Sequence, residues 1–397
     1  MKHNVKVGIA HPRLGRGGSE ARVMWGIEAL KKDYDISLIT ASNVDLDKLN
    51  RFYGTSVRSN EVRIHQSPIF PFLHKLSWGD ALRGTLYQRF CRNISNNFDV
   101  LISAYNLCDF GVPAIHCLAD FSWDEQIRVN SDPIPAGPRS IFHRNSLFRK
   151  AYLSLVKVLS RPSGRDLFAG EDLILANSKW TSGIMKEKYG ADVEVLYPPV
   201  FTEFPKIPHK EKELGFVCIG RISPEKRIER IIEILAAVRR RGHSIHLHVI
   251  GGIDGTAYGK KILMLCHRHR DWIELEGSKF GEDKTKLLSQ HHFGIHARPG
   301  EAFGIAIAEM VKAGCIVFAP KEGGQAEIIN HPSLLYGSFG EAVEKIEAVL
   351  CNPEVQGDLR NHLLKQGENF STMKFMDGFR GAVKKFLEEK STLRKVA

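Results

Sequence analysis

The 397-residue chain lacks the markers of several protein classes. Its seven cysteines are scattered, and none forms a C-x-x-C pair. That argues against a disulfide framework or a zinc site of that spacing, and it fits a reducing compartment. No run reaches the ~18 uncharged apolar residues that a membrane-spanning helix needs. Before Pro12 there is positive charge but no apolar stretch of signal-peptide length. The P-loop, the G-x-S-x-G elbow and the H-E-x-x-H helix are all missing. So are low-complexity tracts and internal repeats. The expectation is a cytoplasmic chain, or one peripheral to the cytoplasmic face of a membrane.

What is present is ordinary globular composition, with 43% hydrophobic and 25% charged residues, which excludes a disordered or collagen-like chain. The net charge of +11 favours anionic partners. No nucleic-acid motif accompanies it, and both halves of the chain share the excess, so nucleic acid is not the expected partner. The densest basic segment is 139–165, with seven Lys or Arg, no acidic residue and many large apolar side chains. Such a segment suits either a domain helix with solvated charges or an amphipathic helix on an anionic membrane.

Short apolar runs alternate with amphipathic stretches. Val5–Ala10, Ile36–Thr40, Val100–Ser103, Ala114–Leu118 and Leu173–Ala176 read as buried parallel strands, with Ser19–Lys31 as the first helix. A Pro-rich linker spans Tyr197–Glu213. A second set then follows: strands Phe216–Ile219, Ile245–Ile250, Ile273–Leu275, Phe293–Ala297 and Cys315–Ala319, and helices Pro224–Arg240 and Phe303–Ala313. This predicts two doubly wound α/β domains, 1–200 and 201–370, and a last helix at 371–397.

Ligands of open parallel sheets bind beyond the carboxyl ends of the strands. After the first strand stands a Gly-rich turn with Gly17 and Gly18, and Ser19 as the expected helix cap. Its spacing is not G-x-G-x-x-G, which weakens a dinucleotide reading. Gly220-Arg221-Ile222-Ser223-Pro224-Glu225-Lys226-Arg227 sets two cations around a turn, either a diphosphate clamp or a solvated basic turn. Glu301 precedes an almost wholly apolar helix, and Glu309 lies inside it, where a buried carboxylate requires a ligand or a structural cation. The N–H groups of Phe303, Gly304 and Ile305 open that helix, where intrahelical acceptors are lacking. Glu322-Gly323-Gly324-Gln325 repeats the Gly turn. His116 lies in an apolar strand, which favours a satisfied core residue. Asp45-Leu46-Asp47 resembles a D-x-D metal motif but reads as a helix cap. The histidines at 267, 269, 291, 292 and 296 have no Cys or carboxylate at zinc-ligand spacing, so no metal site is expected.

Together these motifs resemble the GT-B-fold retaining glycosyltransferases of family 4. The E-x7-E segment EAFGIAIAE (301–309) stands with GRISPEKR (220–227), GGSE (17–20) and GGQAEII (323–329), in the family's order. Within it, HPRLGRGGSEARVMWGIEAL (11–30), NSKWTSGIMKEKYG (177–190) and the 294–329 segment are similar to GDP-mannose-dependent α-1,2-mannosyltransferases of lipid-linked oligosaccharide synthesis.

The resemblance implies two Rossmann-like domains facing a cleft: an acceptor domain, a donor domain, and a final helix that returns to the first. It implies metal-independent transfer, with no cofactor, of a sugar, mannose foremost, from a nucleotide-sugar donor to a glycan or lipid-linked acceptor, and it puts the basic segment 139–165 in the half that binds the acceptor. Arg221 and Lys226 would bind the diphosphate, Glu309 the ribose, and Glu301 the sugar hydroxyls. Phe303, Gly304 and Ile305 would add backbone contacts, Gly17 and Gly18 would face the diphosphate, and His116 would lie near the reacting sugar. Cys117-Leu118-Ala119 departs from the Tyr-Pro-Thr of the mannosyltransferases, which leaves the acceptor open. Three alternatives stand beside this: a UDP-sugar donor with a polysaccharide or small-glycoside product, a sugar-nucleotide epimerase, and a nucleic-acid-binding protein.

Overall fold

The structure is a computed structural model that describes residues 5–68, 80–127 and 146–396. It divides into two compact units, Met1–Pro199 with Thr372–Ala397, and Val200–Ser371.

The first unit holds a seven-stranded parallel sheet of β1 (Lys6–Ala10), β2 (Asp35–Thr40), β3 (Val62–Gln66), β4 (Val100–Ser103), β5 (Ile115–Cys117), β6 (Leu173–Ala176) and β7 (Glu194–Val195). Their order is β3-β2-β1-β4-β5-β6-β7. The continuous apolar runs belong to central strands buried on both faces, as in Val100–Ser103. The helices are α1 (Gly18–Leu30), α2 (Leu46–Tyr53), α3 (Asp80–Asn93), α4 (Leu147–Ser160) and α5 (Lys179–Tyr189). Two turns differ in detail from expectation. Gly17, not Ser19, is the cap of α1, and the Ser19 hydroxyl donates to Glu20 Oε2 at 2.8 Å. Asp45 caps α2, accepting from Lys48 N–H at 2.9 Å, which is the helix-capping role read for the D-x-D segment.

The second unit repeats the plan with six parallel strands: β8 (Glu213–Ile219), β9 (His246–Ile250), β10 (Ile273–Gly277), β11 (His291–Ile295), β12 (Ile316–Pro320) and β13 (Leu335–Tyr336). The order β10-β9-β8-β11-β12-β13 is the same winding, and it bears out the α/β, Rossmann-like expectation for both halves. Its helices are α6 (Ile228–Arg240), α7 (Ala257–Arg268), α8 (Gly281–Gln290), α9 (Ile305–Lys312), α10 (Gln325–Ile329), α11 (Phe339–Leu350) and α12 (Pro353–Gly367). Pro224 opens a short 3-10 turn, Pro224–Lys226, rather than the helix. The left-handed Arg227 (φ 50°) then redirects the chain into α6. Helix α9 begins two residues later than Phe303 because Gly304, at φ 107°, breaks the chain direction.

The last helix, α13 (Thr372–Val396), belongs to the first unit and packs on α1. A Cβ on Gly26 would lie 2.9 Å from the Phe379 ring, so that glycine permits the close crossing. Arg380 Nε donates to the Ala29 carbonyl at 2.8 Å, satisfying one end of α1. All seven cysteines are free thiols. Among the described residues no helix is long and apolar enough to cross a membrane.

Candidate active site

In the second unit the carboxyl ends of β8, β11 and β12 gather most of the predicted donor residues. Glu301 follows β11, and Lys226 follows β8. The Lys226 ammonium lies 2.6 Å from Glu301 Oε2. His296, one residue past β11 and buried, brings Nε2 to 3.3 Å from the same oxygen, and Arg298 stands 3.8 Å from Oε1. Burial alone would raise the Glu301 pKa. The approach of His296 and the charges of Lys226 and Arg298 outweigh it and hold the carboxyl far below the usual range. Glu301 is therefore ionised and ringed by cations. Burial, with the Lys226 charge, pushes the His296 imidazole down, against the pull of Glu301.

The backbone around Glu301 is built by glycines. Gly300 N–H donates to the Glu322 carbonyl at 3.0 Å and Gly324 N–H to the Glu301 carbonyl at 2.7 Å. A Cβ at Gly323 (φ 111°) would sit 2.7 Å from Glu301 N, and one at Gly324 would sit 2.3 Å from the Ala302 carbonyl oxygen. The buried Gln325 side chain ties the same turn together by donating to the carbonyls of Glu322 and Arg298 at 2.6 and 3.0 Å. The GGQAE segment thus clamps the loop that carries Glu301. The first turn of α9, at Ile305 and Ala306, points N–H groups out of the helix end, a favourable place for negative charge.

Two predicted residues stand differently. Glu309 is buried on α9 and has structural partners: its Oε1 accepts from Lys284 Nζ at 2.7 Å and from Thr202 Oγ1 at 2.8 Å. Arg221 is 82% exposed and pairs with Glu225 at 3.4 Å. Among the described residues it is not one of the ion partners of Glu301.

In the first unit, Gly17 sits at the mouth of α1. Its N–H donates to the hydroxyl of the buried Tyr53 at 2.9 Å, and that hydroxyl in turn lies 2.9 Å from the Gly15 carbonyl. Gly18 starts the helix, and the Glu20 carboxylate lies over Gly17, where a Cβ would be 2.5 Å from its oxygen. His116 lies in β5 and is fully buried. Its Nδ1 accepts from Cys108 N–H at 3.3 Å, and its Nε2 lies 3.2 Å from Asp172 Oδ1. Asp172 precedes β6, at the amino ends of these strands, so the ring is turned away from the carboxyl edge. This geometry engages both ring nitrogens of the buried side chain.

Sequence reading set His296 aside as a metal ligand, within the strand read over Phe293–Ala297, and passed over His11. His11 follows β1, is 3% exposed, and accepts from Arg13 N–H through Nδ1 at 3.3 Å. Its Nε2 is buried with no hydrogen-bond partner, and burial lowers its pKa to about 3.

Comparison with known proteins agrees with these two units. Residues 200–370 match the family model described as glycosyl transferases group 1. A GDP-Man:Man(3)GlcNAc(2)-PP-Dol alpha-1,2-mannosyltransferase of Dictyostelium discoideum is 20% identical over 97% of this chain and 85% of its own. The enzyme of the same name from Mus musculus is 24% identical over 86% of this chain and 78% of its own. Among solved structures, sucrose-phosphate synthase from Thermosynechococcus elongatus superposes with a TM-score of 0.70 at 13% identity, over 97% of this chain and all of that one. HepE from Anabaena, solved with UDP and glucose, gives 0.65 at 13% identity over 96% of this chain and all of that one. The chain is a glycosyltransferase of the GT-B fold, and the match to the glycosyl transferases group 1 model falls on its second unit.

Proposed function

We propose that the protein transfers mannose from GDP-mannose to a lipid-linked glycan, with retention of configuration. The observation that carries this is the buried Lys226–Glu301 pair at the carboxyl ends of β8 and β11, read beside relatives named as GDP-mannose-dependent mannosyltransferases.

Breaking a glycosyl–phosphate bond leaves negative charge on the diphosphate and oxocarbenium character on the sugar. The Lys226 ammonium, neutralised by Glu301 until the donor arrives, shifts onto the diphosphate. Arg221, free to swing in from solvent, joins it, and the first turn of α9 adds N–H donors. Glu301 then accepts from sugar hydroxyls while His296 and Arg298 keep it ionised. Glu309, oriented by Lys284 and Thr202 through one oxygen, offers its other oxygen to the ribose hydroxyls. These protein cations and helix N–H groups carry the leaving-group charge. Attack on the same face within an ion pair retains configuration, and no side chain is assigned as a covalent nucleophile.

Helix α4 supports a lipid-borne acceptor. Its exposed face carries Phe148, Leu155 and Val158, at 67%, 59% and 74% exposure, flanked by Lys150, Lys157 and Arg161. An apolar stripe turned outward between cations suits the surface of an anionic membrane. The part of the basic segment at 139–145 lies outside the described residues.

A second reading keeps the fold and takes a UDP-sugar, favoured by the UDP and glucose held in the HepE structure. A donor screen separates the two. Thermal shift and transfer to a dolichyl-diphosphate oligosaccharide are measured with GDP-mannose, UDP-glucose and UDP-N-acetylglucosamine. Stabilisation and turnover with GDP-mannose are expected. A response to a UDP-sugar alone overturns the mannosyl reading.

A further inference from the structure

The opposite end of the second sheet carries a histidine cluster that donor binding does not use. All strands of this sheet are parallel, so their amino ends share one edge, away from Lys226 and Glu301. Glu213, His246 and His291 are the first residues of β8, β9 and β11, three adjacent strands. Register pairs His291 with Glu213 and His246 with Gly215. Residues 213 and 215, like 246 and 248, share a face, so alternation brings Glu213, His246, His248 and His291 to one side of the sheet. One donor atom from each of the four lies within 4.8 Å of the others. The three rings meet edge to face, with centroids 4.6 to 5.4 Å apart.

The hydrogen bonds around the cluster leave lone pairs facing inward. His291 is fully buried, and its Nδ1–H donates to the Leu287 carbonyl at 2.7 Å. Its Nε2 must then carry a bare lone pair, and this atom is buried with no hydrogen-bond partner among the described residues. His248 places Nδ1 2.6 Å from Glu276 Oε1. The Glu276 carboxylate, whose Oε2 lies 3.1 Å from Lys279 Nζ, is the acceptor for Nδ1–H. His248 Nε2 is then the second bare lone pair. A metal-binding histidine commonly gives its remote N–H to a carbonyl or carboxylate in this way. His246 Nε2 is also buried without a hydrogen bond, although Glu213 Oε2 is 3.3 Å away. Its ring lies over Gly215, where a Cβ would come within 2.2 Å of Nε2. Lys212, the nearby ammonium, is engaged by the carbonyls of Ala313 and His291. An open pocket lined by Glu213, His246, His248, Cys266 and Glu274 gives the cluster a route to solvent.

We propose that Glu213, His246, His248 and His291 form a binding site for one divalent transition-metal ion, zinc in the first place, with Glu276 orienting His248. Three imidazoles and one carboxylate match zinc, whereas calcium and magnesium take oxygen donors. A tetrahedral ion with bonds of ~2.0–2.2 Å sets its donors roughly 3.4 Å apart, so the four side chains draw in on binding. The ion would tie β9, β8 and β11 together at the edge remote from the donor, and its role would be structural.

The test uses the full chain, stripped with a chelator and free of any histidine tag. Zinc is titrated against a chromogenic competitor, and cobalt is followed by its visible d–d bands. One zinc per chain and the bands of four-coordinate cobalt are expected. His246→Ala and Glu213→Gln change side chains that are only partly buried, so they keep the fold, verified by circular dichroism. Each should weaken zinc at least tenfold, and Glu276→Gln roughly 10- to 100-fold as an orienting residue. Sugar transfer below the melting temperature should survive all three substitutions. Absence of stoichiometric zinc binding in the wild type, or stoichiometric binding that His246→Ala and Glu213→Gln leave unchanged, would overturn the proposal.

Discussion

The ammonium of Lys226 sits 2.6 Å from Oε2 of Glu301, across 75 residues of sequence, with both side chains more than four-fifths buried. Each is a counter-ion of the other, and the proposed reaction hands Lys226 to the donor diphosphate. Lys226→Ala should therefore lower kcat/KM by about 10²–10³, the usual range for removing one donor that stabilises developing negative charge. Glu301→Gln should cost as much, because it replaces a charged, two-oxygen acceptor of sugar hydroxyls by a neutral amide and frees Lys226 from its partner. Steady-state transfer assays on variants with wild-type melting curves measure both. A loss under tenfold in either sinks the assigned roles.

Arg221, in contrast, is exposed and, among the described residues, ion-paired with Glu225. Arg221→Ala should leave the melting temperature unchanged, because an exposed pair contributes little. It should raise the KM for donor and lower kcat, as expected of a side chain that reaches the diphosphate only when donor binds. Unchanged kinetics would remove Arg221 from the site.

Much of this was readable in the chain. Continuous apolar runs such as Val100–Ser103 announce buried parallel strands, and Gly220, Gly323 and Gly324 announce turns at their ends. The partners were less readable, for physical reasons. Glu309 required a ligand or a structural cation, but nothing local names Lys284 on another helix. His296 and Arg298 converge on Glu301 only because β11 ends where it does. The cluster of Glu213, His246, His248 and His291 escapes any spacing rule because adjacent strands, not neighbouring residues, bring the side chains together. The resemblance set His116 near the sugar, whereas its ring bridges Cys108 N–H and Asp172 in the core.

That contact separates a core role from a catalytic one at His116. Asp172 has a fully buried side chain, and Arg165 and His116 hold it ionised against the upward push of burial. His116→Ala removes one partner from a buried carboxylate, at a cost of about 1–3 kcal/mol. The melting temperature should fall, while kcat measured well below it changes only a few-fold. A large loss of kcat with an unchanged melting curve would return His116 to the reaction.

Several imidazoles are kept neutral by burial. His11 is lowered to about 3 and His291 to about 4, from an ordinary 6.5. Between those values the unfolded chain binds protons that the folded chain refuses, so stability is full above pH 6.5 and falls as the pH drops toward 4. The depressed carboxyl of Glu301 extends the loss below pH 4.5. Thermal melts in metal-free buffer at stepped pH should show this decline. A melting temperature flat through that window would mean the imidazoles are not held neutral.

The outward face of α4 makes its own prediction. Phe148→Glu combined with Val158→Glu places charge on exposed positions and should not disturb folding. Co-sedimentation with phosphatidylcholine vesicles containing phosphatidylglycerol should fall several-fold, and wild-type binding should weaken with salt. Equal sedimentation of wild type and variant would assign the stripe to something other than a membrane.

The glycines under Glu301 provide the sharpest steric test. At Gly324 an added Cβ would meet the Ala302 carbonyl oxygen at 2.3 Å, and at Gly323 the Glu301 backbone at 2.7 Å, in a positive-φ conformation. Both obstacles are main-chain atoms, which cannot rotate aside as a side chain does. The loop must move, and with it the bond from Gly324 N–H to the Glu301 carbonyl and the seat of the carboxylate beside Lys226. Gly324→Ala should cost about 2 kcal/mol or more, and should lower kcat and raise the donor KM together. Gly340, in α11, has open space around it and ordinary helical backbone, so Gly340→Ala should be neutral or stabilising by up to ~1 kcal/mol. If the two substitutions behave alike in melting and kinetics, the clamp does not hold Glu301 in place.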